Sequence, residues 1–215
     1  VFSLYRYFKE NAAVDDQNMI VVNEEMTHDQ IRRKKIENEI QMALAEDRIE
    51  VFYQPIYSIR QQRFVSAEAL VRIRKRDGSM LAPGVFIPVA EDNGMILALG
   101  ERVFVQVCEF IRRTDMKKYG LEYIEVNLSV TQCEQEDLAQ VYGRILQNYQ
   151  IDPSCINLEI TESASIRSRN ILLKNMQEMI GRGISFSLDD FGNGCSNLNY
   201  IVDMPVQIVK FDRDM

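Results

Sequence analysis

Asp189 and Asp190 stand side by side where the apolar run Ile184 to Leu188 gives way to Phe191 and Gly192. Neighbouring residues of a strand point to opposite faces, so these carboxylates converge only if Asp190 has already left the strand. Two carboxylates held together repel, and a cation relieves the repulsion. The pattern therefore predicts a metal site at the C-terminal end of a strand. Three further runs deliver an oxygen-bearing side chain from a comparable position: Glu68 near the end of an apolar strand, Asn127 in Ile124 to Ser129, and Glu159 in Ile156 to Thr161. Carboxylate and amide oxygens suit hard cations such as magnesium or manganese, whereas zinc and copper sites recruit His or Cys. The single histidine, His28, is remote in sequence from every one of these runs. Taken one at a time, Glu68, Glu159 and Lys210 also fit a buried ion-pair network, and Asn127 a cap on backbone amides. Agreement of five strand ends in position and ligand hardness favours metal.

The same residues carry a resemblance. Gln54-Pro55, Glu68-Ala69-Leu70 with Arg72, Phe86-Ile87-Pro88 with Glu91, Asn127-Leu128-Ser129, Glu159-Ile160-Thr161-Glu162, Asp189-Asp190-Phe191-Gly192 and Lys210 occur in the order seen in EAL domains, from Phe52 to Asp212. The chain resembles those bacterial phosphodiesterases, which cleave the second messenger cyclic di-GMP to linear pGpG. The resemblance implies a TIM-like (β/α)8 barrel whose first strand runs antiparallel to the rest. It implies Mg2+ or Mn2+, two ions per complete site, with Glu68, Asn127, Glu159 and Asp189 on one and Asp189 with Asp190 on the second. Two such ions lower the pKa of a bridging water and clamp the attacking and leaving oxygens. Lys210 would orient the water, in a catalytic set with Asp190 and Glu68. Arg72 would grip a substrate phosphate and Gln54 a guanine edge, with Leu70, Glu91 and Asp212 as further substrate-side residues. Glu162 would brace the loop from Phe191 to Leu198, where Asn193 and Cys195 replace the threonine and aromatic more common in the family. A homodimer and a sensory or GGDEF domain in the same parent chain also follow from the likeness. A cyclic di-GMP sensor without catalysis, or a dimerisation module, remains the alternative.

These side chains need a scaffold that brings strand ends to one rim. Val51 to Tyr57 and Phe64 to Ile73 read as two strands joined by a polar turn, hence antiparallel. Beyond them helices and strands alternate. Phe104, Val107, Cys108 and Ile111 mark one helical face, Leu138, Val141, Ile145 and Leu146 a second, and Ile171, Leu172, Met176 and Met179 a third. The strands between are Ile124 to Leu128, Ile156 to Ile160, Ile184 to Leu188 and Gln207 to Phe211. Alternation of this kind predicts parallel pairing with helices outside. A barrel and a doubly wound sheet both keep chemistry at the C-terminal ends of their strands, so periodicity alone does not separate them.

About six strands fall before Met215, where the family's barrel has eight; the resemblance places a further glutamate and a guanine-contacting glutamine beyond that residue. This chain by itself is therefore expected to be a poor enzyme or inactive. Residues 1–26 read as an N-terminal extension or the remnant of a GGDEF-like domain, residues 27–47 as a connecting helix with capping-box spacing at Thr27 and Gln30, and 48–215 as the EAL domain. With 215 residues, 46% apolar and 27% charged, the chain can bury a substantial core. No apolar run reaches the ~20 residues of a membrane helix, which makes the cytoplasm the default expectation. A net charge of −7 argues against broad binding to DNA but leaves room for a nucleotide held through cations. Cys108, Cys133, Cys155 and Cys195 lack metal or redox spacing and are expected as reduced thiols.

Overall fold

The computed structural model describes residues 24–161, 169–192 and 204–212. Helix α1, Glu24–Ala45, leads into a hairpin of β1, Ile49–Ser58, and β2, Arg63–Arg74, followed by the two-residue β3, Met80–Leu81. Helices α2, Pro83–Asp92, and α3, Ile96–Arg113, precede β4, Tyr123–Leu128. Next come the short α4, Val130–Cys133, and α5, Leu138–Tyr149, then β5, Ile156–Thr161, α6, Arg169–Gly181, β6, Ser185–Phe191, and β7, Ile208–Phe211. The strands form one sheet in the order β1-β2-β4-β5-β6-β7, with β3 on β2. β1 and β2 are antiparallel, and every later neighbour in the order is parallel. The antiparallel first strand and the alternating parallel sheet are as the sequence led us to expect.

Period-2 alternation sorts each strand into two faces. One carries Ala67, Ala69, Ile124, Val126, Leu128, Ile156, Leu158, Ile160, Phe186 and Leu188, which merge with the buried stripes of α3, α5 and α6 into a single apolar core. The other carries Ser66, Glu68, Glu125, Asn127, Asn157, Glu159, Ser187 and Asp189. Among the described residues β1 and β7 are the two ends of the sheet, and its polar face is the inner, concave one. Curvature follows from one contact. Lys210 on β7 reaches Glu125 on β4 at 2.5 Å, although three interstrand spacings separate those strands, about 14 Å along a flat sheet. Only a sheet that curls brings the two together.

The connecting helix is longer than its capping signal suggested, and it is fastened to the hairpin. Ile40 and Ala43 are fully buried, while Arg48, just beyond the helix, donates to Glu39, Glu46 and the carbonyl oxygen of Arg74. Helix α5 ends on Gln150 at φ 56, a left-handed C-cap normally given to glycine. Gln150→Gly should relieve about 1–2 kcal/mol of left-handed strain against about 0.5–1 kcal/mol of added chain entropy, a net gain of about 0.5–1 kcal/mol in urea unfolding.

A candidate catalytic face built on the strands

Glu68, Asn127, Glu159 and Asp189 reach the polar face of the sheet from four successive parallel strands. The register pairs Glu68 with Glu125, Asn127 with Glu159, and Glu159 with Ser187. Residues paired in a parallel register share a face, so this register sets these oxygens side by side. Asn127 donates to Glu68 Oε1 at 2.8 Å. Beneath that pair Ser187 donates to Asn157 Oδ1 at 2.7 Å, and Asn157 donates to Ser185 Oγ at 3.0 Å. Asn157 is thus held by Ser185 and Ser187 on the face that carries the acidic side chains.

Glu159 is only 1% exposed and contacts Lys210 Nζ through Oε1; its Oε2 is buried without a hydrogen-bond partner. Burial pushes its carboxyl pKa up to about 7, the lysine pulling against that rise and Asp189 and Glu125 adding to it. Burial also pulls the Lys210 ammonium down, but hydrogen bonds to Glu125 and Glu159 outweigh it and leave the pKa raised. Two buried carboxylates facing one ammonium leave a surplus negative charge. A hard cation is what such a surplus and an orphaned carboxylate oxygen fit. Among the described residues no three of His, Cys, Asp and Glu close around a single point, and it is Lys210 that lies against Glu159.

The raised Glu159 carboxyl makes stability depend on pH. Between about 4.5 and about 7 the native state holds a proton that the unfolded chain has released, so unfolding becomes easier as pH rises through that window. The metal-free melting temperature should fall from pH 5 to pH 7 and then level off. Glu159→Gln should flatten that slope in a calorimetric pH series.

Two expectations about position need correction. Glu68 lies in the middle of twelve-residue β2, not near its end, because β2 runs on past its parallel partner to pair with β1 and β3. Asp190 has not left its strand: β6 continues to Phe191, and the register slips between Leu188 and Phe191 around Asp190 at φ 55. A bulge, where one residue adopts a left-handed conformation, swings consecutive side chains out of strict alternation. Asp190 is exposed, and burial, Asp189 and Asp212 raise its pKa against the pull of Lys210. That places Asp212 within electrostatic reach of the aspartate pair, and its backbone N–H bonds the Phe191 carbonyl oxygen at 3.2 Å.

The remaining residues lie as follows. Gln54 pairs in register with Glu68 and is exposed. Leu70 and Arg72 alternate with Glu68 onto the same face of β2, Arg72 donating to the Val71 carbonyl oxygen at 2.8 Å. Glu91 belongs to the end of α2. Glu162, Asn193 and Cys195 lie outside the described residues; Cys108, Cys133 and Cys155 are free thiols. Sequence reading missed Glu125, which is 2% exposed on the polar face. Its place between Ile124 and Val126, apolar on both sides, was the available signal. It also missed α4, although Ser129 and Gln132 form a complete capping box there.

A curled, mainly parallel α/β sheet with acidic side chains gathered on its inner face has the make-up of an enzyme-type barrel. The EAL domain family matches residues 37–215, and the chain belongs to that family. It is 33% identical over 211 residues to the signaling protein YkoW of Bacillus subtilis, covering 98% of this chain and 24% of that protein. It is 33% identical over 180 residues to the probable cyclic di-GMP phosphodiesterase PdeB of Escherichia coli, covering 81% and 33%. Of solved structures, PaMucR phosphodiesterase in its c-di-GMP complex superposes with a TM-score of 0.77 at 30% identity, over 84% of this chain and 73% of that one. The chain spans about a quarter to a third of the length of these curated relatives. No described helix is long and apolar enough to cross a membrane.

Proposed function

We propose that the protein containing this chain hydrolyses cyclic di-GMP to linear pGpG with the help of Mg2+ or Mn2+. The observation that carries this reading is the row of acceptor oxygens from Glu68, Asn127, Glu159 and Asp189 on one sheet face of an EAL family member. Those four would hold one ion, and Asp189 with Asp190 the second. Bound there, divalent ions supply an acidified water and neutralise charge on the phosphoryl oxygens. Lys210 orients the attacking water and offsets negative charge around it. Arg72 offers a planar fork of donors to a phosphate, which fits its place two residues beyond Leu70 and four beyond Glu68. Gln54, opposite Glu68 in the hairpin, meets a guanine edge, with Leu70, Glu91 and Asp212 on the substrate side. Glu162 braces the loop that follows Asp189 and Asp190.

In domain terms, residues 27–47 connect an upstream unit to the EAL domain at 48–215, and residues 1–26 belong to that upstream unit or extend it. Similarity to YkoW over 211 residues, beyond the 37–215 family match, supports a shared upstream segment. The parent protein pairs with a second copy near the Asp189–Asp190 loop, which sedimentation of the full-length protein tests. Incubating the full-length protein with Mn2+ or Mg2+ and cyclic di-GMP, with product separated by chromatography, should yield pGpG. Asp189→Ala should remove at least about a hundredfold of that turnover, since outer-shell partners of metals alone are worth 10–100-fold. Tight nucleotide binding without product would favour the sensor reading instead.

A further inference from the structure

We infer that Glu125 is a positioning residue for the reaction, holding Lys210 in place when Glu159 is drawn onto a cation. The inference rests on the proposed function and adds to it a residue that no motif of the family string contains. Glu125 sits on β4 two residues before Asn127, so it shares the polar face but lies one pair deeper, opposite Asn157. Asn157 is already committed to Ser185 and Ser187. Lys210 lies between the two carboxylates, with Nζ 2.5 Å from Glu125 Oε2 and in contact with Glu159 Oε1.

Neutralising one buried ammonium requires one carboxylate, and this chain buries two, at 2% and 1% exposure. Burial of a carboxylate is unfavourable unless its charge is matched. The arrangement is balanced only when a further positive charge joins, and the unpartnered Glu159 Oε2 is where a buried oxygen remains open to one. With Glu159 engaged by a cation, Lys210 would lose one of its two partners and be repelled by the incoming charge. Glu125 prevents that: it keeps a counter-charge below the ammonium and fixes Nζ beneath the reacting face. Glu125 itself contacts neither substrate nor cation in this scheme; it acts through Lys210.

Acting through Lys210 has a signature that a merely structural role lacks. In full-length protein, Glu125→Gln should lower kcat for cyclic di-GMP at least tenfold and change KM less than twofold. In a Lys210→Met background, the same substitution should change kcat less than twofold, because the group it positions is gone. A second readout needs no turnover. Calorimetric titration with Mn2+ alone should show at least fivefold weaker binding in Glu125→Gln, since Lys210 then falls wholly onto Glu159, and less than twofold change when Lys210 is Met. Equal losses in both backgrounds would make Glu125 a source of negative potential or a structural group, and no loss in either would make it inert; both overturn the inference. If Glu125→Gln does not fold, Glu125→Asp, which keeps the charge but shortens the reach, takes its place with the same comparison across backgrounds and a threshold of threefold in kcat. Wild-type protein that turns over no cyclic di-GMP refutes the proposed function, and the Mn2+ titrations then still decide the Glu125–Lys210 coupling.

Discussion

Glu159→Gln is expected to abolish turnover and at the same time to stabilise the metal-free protein above pH 7. The loss of turnover should exceed about a hundredfold, because an outer-shell partner already commands 10–100-fold and Glu159 is proposed as a ligand of the ion itself. The gain in stability has a separate origin. Burial raises the Glu159 carboxyl to about 7, which at pH 8 is a cost of roughly 3 kcal/mol by linkage at about 1.4 kcal/mol per unit. A neutral amide of the same shape does not bear that cost, and Lys210 keeps Glu125 as its partner. Mn2+ should raise the melting temperature of the wild type and leave that of Glu159→Gln nearly unchanged. A variant that is both inert and more stable marks a residue retained for chemistry at the expense of folding.

Lys210→Met reverses the sign for stability. Removing one partner from a buried ionic group leaves the others uncompensated and costs about 3–5 kcal/mol, and here two carboxylates lose their ammonium. Metal-free Lys210→Met should therefore melt well below the wild type at pH 8. The deficit should shrink toward pH 5, where protonation of Glu159 removes one of the charges that need a partner. Mn2+ should restore part of it by supplying the missing positive charge. Turnover should fall at least about a hundredfold, in the range found when one preorganised electrostatic group is removed. A Lys210→Met protein as stable as the wild type in the metal-free state at pH 8 would mean that the ion pair with Glu125 and Glu159 does not carry the weight assigned to it.

Much of this site was legible in the sequence because a strand's period of two is rigid. Once Asn127, Glu159 and Asp189 were assigned to short apolar strands, parallel pairing fixed them on one face, and the structure pairs Asn127 with Glu159 in register. Leu70 and Arg72 were singled out by the resemblance, and the period of two sets them on the same face of β2 as Glu68. Whether the sheet was a barrel or an open doubly wound array was not legible from periodicity, since both put helices between parallel strands. That distinction lies in the curl of the sheet, which brings Lys210 on β7 to Glu125 on β4.

Three misreadings have local causes. Glu68 read as a strand end by analogy with the other acidic positions, yet antiparallel pairing with β1 and β3 carries β2 well past its parallel partner. Asp190 read as lying past a strand end because adjacent carboxylates on opposite faces do not converge; a bulge does what an exit from the strand would have done. Glu125 was overlooked because a lone acid inside Tyr123–Leu128 matched no motif. Its importance comes from Lys210, 85 residues later in the numbering, and no local pattern encodes a contact made by curling a sheet.

The most direct test is a crystal structure of the full-length protein grown with Mn2+ and cyclic di-GMP, with manganese located by anomalous scattering. The account predicts manganese bonded to side-chain oxygens of Glu68, Asn127, Glu159 and Asp189, Asp190 on a second ion, and Lys210 withdrawn from Glu159 but still against Glu125. Manganese bound elsewhere, or Glu159 still paired only with Lys210 in the presence of nucleotide and metal, would contradict it.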